Sequence, residues 1–331
     1  MFGMPVLQQW QPYSLKSRLR WKALLAAYSC GVLGHVPGVQ SVGVSQGVLT
    51  SPVTESAEKA EGCTPVVYLG TPGPTRKAVV SLVSPERQVV SVMKVPLERG
   101  AATSILREAG ALSFLGCRPG VAPLLLSCDT ERSITAQEFC SGGRSGTDFQ
   151  MCYWEWLSGL QVSGKTTSLA DHCAAAQDRL SGHELGGFSD VVSRTGEFLK
   201  NPTSIGAFLV HGDFAPWNLK LRTDGTISRA IDWEEFGASG LPLHDYFHFH
   251  YIQDFLFNRQ TDLGNLERTA RPYMSHFGIS HELFRKLAAA YLLSSFAARI
   301  VSSEHYHAEF YGNKLGQVLE GTACTRKSLV S

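Results

Sequence analysis

After residue 64 the chain sets short, β-branched apolar runs between turn formers, the pattern expected of strands. Val66-Val67-Tyr68-Leu69 runs into Gly70-Thr71-Pro72-Gly73, and Lys77 to Val83 is apolar and β-branched before Ser84-Pro85-Glu86-Arg87. Val89 to Val95 follows, so three antiparallel strands joined by tight turns are expected. The spacing then changes. Ile105, Leu106, Ala109, Leu112, Phe114 and Leu115 form an apolar stripe that predicts a helix over about 100–116. Strands are expected at 122–127 and 133–139, after which Ser141-Gly142-Gly143 interrupts the pattern.

Beyond that break the pattern is mainly helical, at 150–160, 168–182 and 187–200. Phe208-Leu209-Val210 reads as a short buried strand, and Leu219–Arg222 and Ile227–Ile231 flank Asp224-Gly225 as a hairpin. From 245 onward the period is helical, including a Leu/Ala-rich face over 282–300. An α+β chain with a small antiparallel β-rich N-lobe (65–141) and a larger α-rich C-lobe (142–331) is therefore expected. Residues 1–64 make a separate arm. Within it, 14–33 begins basic and turns apolar, but the run from Ala23 to Leu33 is too short to span a bilayer. It reads as an amphipathic helix, with peripheral membrane contact through Arg18, Arg20, Lys22 and Trp21 as the lesser alternative. Residues 36–64, rich in Gly, Ser, Val, Thr and Pro, read as a linker.

Composition adds boundaries rather than detail. The 331 residues are 44% apolar and 18% charged, enough for a real core. Thirty basic against twenty-nine acidic side chains give +1, so there is no global field for nucleic acid or an anionic membrane. The eight cysteines form no CxxC pair and no zinc-finger spacing with histidine, which points to reduced thiols in a cytoplasmic protein.

The candidate chemistry lies in Leu209-Val210-His211-Gly212-Asp213-Phe214-Ala215-Pro216-Trp217-Asn218 and in Ala230-Ile231-Asp232-Trp233-Glu234. A strand delivers His, Gly and Asp onto a loop, Asn follows Asp by five positions, and a hairpin returns Asp232 towards Asn218. Phosphoryl transfer uses those residue types. Mg²⁺ takes oxygen ligands beside the phosphates, so Asn218 and Asp232 suit the metal. Asp213, apart from it, suits orienting a hydroxyl and accepting its proton. His211 is expected to hold the loop by hydrogen bonding.

These segments resemble the catalytic loop and metal aspartate of the aminoglycoside phosphotransferase and choline kinase superfamily, distant relatives of protein kinases. The resemblance implies a bilobal protein-kinase-like fold over roughly 65–300. It implies Asp213 as catalytic base and Asn218 and Asp232 as magnesium ligands. Lys94, closing the third strand, would contact the phosphates of ATP (or GTP), with Glu108 of the following helix holding the lysine. Glu138-Phe139 would meet the base through the hinge backbone, and Asp245 matches an acidic position that is usually structural. The acceptor would be a hydroxyl of a small molecule such as an aminoglycoside, sugar or amino alcohol. Departures are that Gly70-Thr71-Pro72-Gly73 is not G-x-G-x-x-G, with Pro72 and Pro74 removing backbone donors, and that Asp-Trp-Glu stands where protein kinases have Asp-Phe-Gly. Two other readings stay open: a nucleotide-binding protein without turnover, and a metal-dependent hydrolase built on His244, Asp245, His248 and His250, since His244 and His248 share a helix face.

Overall fold

The structure is a computed structural model, and it describes residues 6, 12, 13, 15–30, 32, 62–70, 72–201 and 203–321. Most of the expected linker over 36–64 lies outside the described residues. The helix expected within 14–33 is α1, Leu15–Ser29, but its apolar residues do not gather on one face, so it is not the amphipathic helix expected. Among the described residues no helix is long and apolar enough to cross a membrane.

The chain divides into two compact units, Met1–Thr147 with Trp217–Glu235, and Asp148–Pro216 with Phe236–Ser331. The first break falls close to the lobe boundary expected near 141. The segment 217–235, expected inside the second lobe, packs instead with the first unit.

The first unit is built on five antiparallel strands: β1 (Thr64–Leu69), β2 (Lys77–Val83), β3 (Val89–Pro96), β4 (Leu125–Asp129) and β5 (Ile134–Glu138), in the order β1-β2-β3-β5-β4. Strand alternation sorts their side chains. Val80, Leu82, Met93, Ile134 and Ala136 pack into one apolar cluster. Lys77, Val79 and Ser81 on β2 and Val92 and Lys94 on β3, displaced by one residue, face a cavity. Helix α2 (Arg99–Leu115) follows β3 and buries Ala101, Ile105, Glu108, Ala109, Ala111, Leu112 and Leu115; of the stripe expected from sequence, Leu106 is half-buried and Phe114 exposed. A second sheet orders β10 (Ile227–Ala230), β9 (Leu219–Leu221) and β6 (Gly143–Arg144). The Asp224-Gly225 turn closes its hairpin, with Gly225 at φ 85° and Asp224 Oδ1 accepting from Thr226 N at 2.9 Å.

In the second unit, β7 (Gln161–Ser168), β8 (Ser204–Val210) and β11 (Gly237–Gly240) form a sheet ordered β11-β8-β7. The helices are α3 (Tyr153–Ser158), α4 (Leu169–Leu180), α5 (Ser189–Leu199), α6 (His244–Phe257), α7 (Leu263–Phe277), α8 (His281–Val301) and α9 (His305–Glu320). Helix α8 buries Leu287 to Leu293 without a break, with Phe284 and Phe296 on either side, and packs on α4, α5 and α9. Three strands had no sequence expectation. β6 is two residues long, β7 is mostly polar and exposed, and β11 is Gly-Ala-Ser-Gly. Backbone pairing creates them, and no apolar alternation announces them.

Candidate active site

In the first unit, β3 carries Lys94 to the cavity face and α2 carries Glu108 beneath it. The Lys94 ammonium donates to Glu108 Oε2 at 2.6 Å and to Asp232 Oδ1 at 2.7 Å. Lys94 and Glu108 are 5% and 1% exposed, so this is an ion pair taken almost wholly out of water. Burial disfavours the lysine's charge, but the carboxylates of Asp232 and then Glu108 outweigh it and hold the ammonium above the ordinary lysine range. Residues 14 positions apart in sequence, 94 and 108, therefore meet as sequence pairing requires, and Asp232 joins them across 138 positions.

The hairpin sets Asp232. Ile231 N donates to Asn218 O at 2.8 Å, which places the residue before Asp232 opposite Asn218. Trp233, fully buried, donates its indole N–H to Ala230 O at 2.8 Å and pins the other side. Asp232 itself sits at φ 69°, a left-handed conformation that aspartate tolerates better than most residues. Lys77 adds a second cation, 2.8 Å from Glu234 Oε2 and 3.4 Å from Asp232 Oδ1.

These groups line a cavity of about 550 Å³. Val79 and Val92 supply an apolar floor, Glu138 and Phe139 stand at the end of β5, and Asn218 and Asp232 stand together. Lys77, Lys94, Arg144 and Lys220 give it four cationic side chains, suited to a polyanion. Lys77, Arg144 and Lys220 are contributions that sequence reading missed. Lys77 had a signal, since it shares the i, i+2, i+4 face of Val79 and Ser81. Arg144 had none, because its two-residue strand is recognisable only by its pairing with β9. The donor set fits magnesium: a carboxylate at Asp232 and an amide oxygen at Asn218 are hard oxygen ligands, and Asp232 already draws two ammonium groups.

In the second unit, β8 ends at Val210 and hands the chain to His211, which is fully buried. The Asp245 carboxylate, in the first turn of α6, accepts from His211 N at 2.8 Å and Gly212 N at 3.0 Å, clamping the loop through its backbone. Burial pushes the Asp245 carboxyl up, while His211 and the two N–H donors oppose the shift. Asp245 therefore serves the loop's backbone, a structural role. Gly212 at φ 85° lets the chain turn, and Asp213 N donates to His211 Nδ1 at 3.2 Å. His211 thus holds the loop internally. The Asp213 carboxylate meets His248 Nε2 at 2.9 Å.

The histidine cluster proposed for a hydrolase does not converge. His248 faces Asp213 and Tyr291, Asp245 serves the loop backbone, and His244 packs edge-on against Tyr291. His250 packs among Phe149, Tyr246 and Phe249. Burial drives His244 down to about 3 and His250 down to about 4. Among the described residues no three His, Cys, Asp or Glu side chains are grouped as a metal would need.

No protein-family model matches the chain, and no curated protein matches it in sequence. Solved structures do match in shape. The aminoglycoside phosphotransferase APH(4)-Ia, in a ternary complex with ADP and hygromycin B, superposes with a TM-score of 0.56 at 14% identity, over 83% of this chain and all of the other. The choline kinase LicA of Streptococcus pneumoniae gives 0.58 at 12% identity, over 84% of this chain and 99% of the other. The GDP and kanamycin complex of an APH(2")-type enzyme gives 0.55 at 13%, over 84% and 100%. The chain has the protein-kinase-like fold, in the form that aminoglycoside phosphotransferases and a choline kinase also take.

Proposed function

We propose that the protein is a magnesium-dependent small-molecule kinase that transfers the γ-phosphate of ATP or GTP to a hydroxyl group. The observation that carries this reading is the buried Lys94–Glu108 pair reaching Asp232 in a cavity it shares with Asn218. Lys94 would bind the nucleotide's phosphates, Glu108 would hold the lysine, and Glu138-Phe139 would border the base. Asn218 and Asp232 would hold Mg²⁺, which when bound supplies charge neutralisation at the phosphates. Asp213 would take the hydroxyl proton as the acceptor oxygen bonds to the γ-phosphorus and the bond to the bridging oxygen breaks, releasing the nucleoside diphosphate. The five-residue spacing from Asp213 to Asn218 tethers base and metal ligand on one loop. Catalysis then rests on positioning and charge, without a covalent enzyme intermediate. The acceptor class follows the fold's other members, whose complexes hold hygromycin B or kanamycin, or which act as a choline kinase; an aminoglycoside, a sugar or an amino alcohol fits.

Calorimetric titration with AMP-PNP, with and without magnesium, tests the cradle. Wild-type binding is expected to tighten at least tenfold with magnesium, and Asp232→Asn and Asn218→Ala are expected to lose most of that gain. Magnesium dependence undiminished in both variants contradicts the assignment.

A further inference from the structure

We infer that His248 is a positioning residue for Asp213, holding its carboxylate through Nε2–H; this rests on Asp213 being the base proposed above. The His248 side chain is 6% exposed and that of Asp213 is 30% exposed, so the bond between them is sheltered at one end and open at the other. Two bonds within the loop act on its backbone: His211 Nδ1 accepts from Asp213 N, and Asp213 O accepts from Ala215 N at 2.9 Å. The His248 contact is made to the carboxylate itself. It fixes the side-chain torsion that a base must hold steady to meet a hydroxyl.

A second layer sets the ring. Tyr291 OH lies 3.2 Å from His248 Nδ1, and Tyr291 is itself buried and hydrogen-bonded to Tyr311. Burial keeps the Tyr291 phenol well above its ordinary value, so it carries its proton at physiological pH and can donate to Nδ1. A neutral imidazole receiving that bond keeps its proton on Nε2, facing Asp213.

Two arms test this on the full chain. In the first, ¹H–¹⁵N NMR reads the His248 ring, assigned by its loss in His248→Gln. Wild type is expected to show the Nε2–H tautomer, with that proton's signal shifted in Asp213→Asn as a direct hydrogen bond requires. The opposite tautomer, or an Nε2–H signal unmoved in Asp213→Asn, overturns the inference. In the second arm, ATP hydrolysis, with water as acceptor, is the probe. His248→Leu is expected to lose tenfold or more in kcat with KM for ATP unchanged. His248→Gln, whose amide can donate in place of Nε2–H, is expected to recover most of the rate. Wild-type kcat in His248→Leu, or equal impairment of both variants, overturns it. A wild type inert towards ATP beside an Nε2–H signal shifted by Asp213→Asn would instead defeat the phosphotransferase reading and leave the pairing standing.

Discussion

Lys94→Met isolates the energetics of the cradle. The substitution removes the cation that sits 2.6 Å from Glu108 and leaves that carboxyl 1% exposed. Two routes are open, and both cost about the same at pH 7. If Glu108 stays ionised, breaking a buried pair from one side costs about 3–5 kcal/mol. If it takes a proton, the cost is about 1.4 kcal/mol for each pH unit above the unfolded carboxyl value of about 4.3, or nearly 4 kcal/mol at pH 7. Relief of the lysine's own desolvation offsets part of either figure, so about 3 kcal/mol is expected. Burial already pushes Glu108 upward against the opposing Lys94 ammonium, and removing that ammonium raises it further. Folded Glu108 then holds a proton that the unfolded chain has released, so stability falls as pH rises from about 4.3 towards the folded value. The penalty should shrink to about 1 kcal/mol at pH 5. Hydrogen exchange by mass spectrometry on peptides from β3 and α2 in graded urea reads the first unit by itself. Lys94→Met/Glu108→Leu, which removes both charges, should recover to within about 1 kcal/mol of wild type. A pH-independent loss below about 1 kcal/mol, or a double variant as unstable as the single one, refutes the reasoning.

Other consequences are simpler to check. Asp245→Ala strips the acceptor from His211 N and Gly212 N, and should cost about 2–3 kcal/mol in a denaturant melt, with Asp245→Asn intermediate. Gly142 sits at φ 146° with Leu221 O 2.7 Å from where a Cβ would lie, so Gly142→Ala should cost about 1–3 kcal/mol; a neutral melt would contradict the close approach of β6 and β9. Burial, ahead of the nearby charges, pushes the Cys140 thiol up to about 11. Iodoacetamide should therefore modify exposed Cys117 well before Cys140 at pH 8, with the Cys140 rate rising about tenfold per pH unit below that value. Equal rates at pH 8 would contradict its burial.

What could be read from the sequence divides by the physical origin of each feature. The first three strands, α2 and the β9–β10 hairpin were legible because their apolar period or turn chemistry is local. Lys94 and Glu108 were legible as a pair only through the family resemblance, and they meet in the structure. Strand β11 was not. Gly-Ala-Ser-Gly is chosen there for close packing, since a Cβ on Gly240 would collide with Val210 Cγ2. Lys220 and Arg144 face the cavity through a sheet whose third strand has no sequence signature. His248 read only as a candidate metal ligand, because its partner Asp213 lies 35 positions away and the bond exists only once α6 packs on the loop. The backbone contacts of Asp245 were hidden for the same reason: its two acceptor bonds run to residues more than 30 positions upstream.

The most direct test of the central claim follows the γ-phosphate. Labelled ATP with magnesium, offered to a panel of aminoglycosides, sugars and amino alcohols, should yield a phosphorylated acceptor with wild type. Asp213→Ala should still bind AMP-PNP yet transfer at least a hundredfold more slowly. Transfer by Asp213→Ala at the wild-type rate would contradict the account, and nucleotide binding by wild type without transfer to any acceptor would point to a protein that keeps the cradle and has lost the reaction.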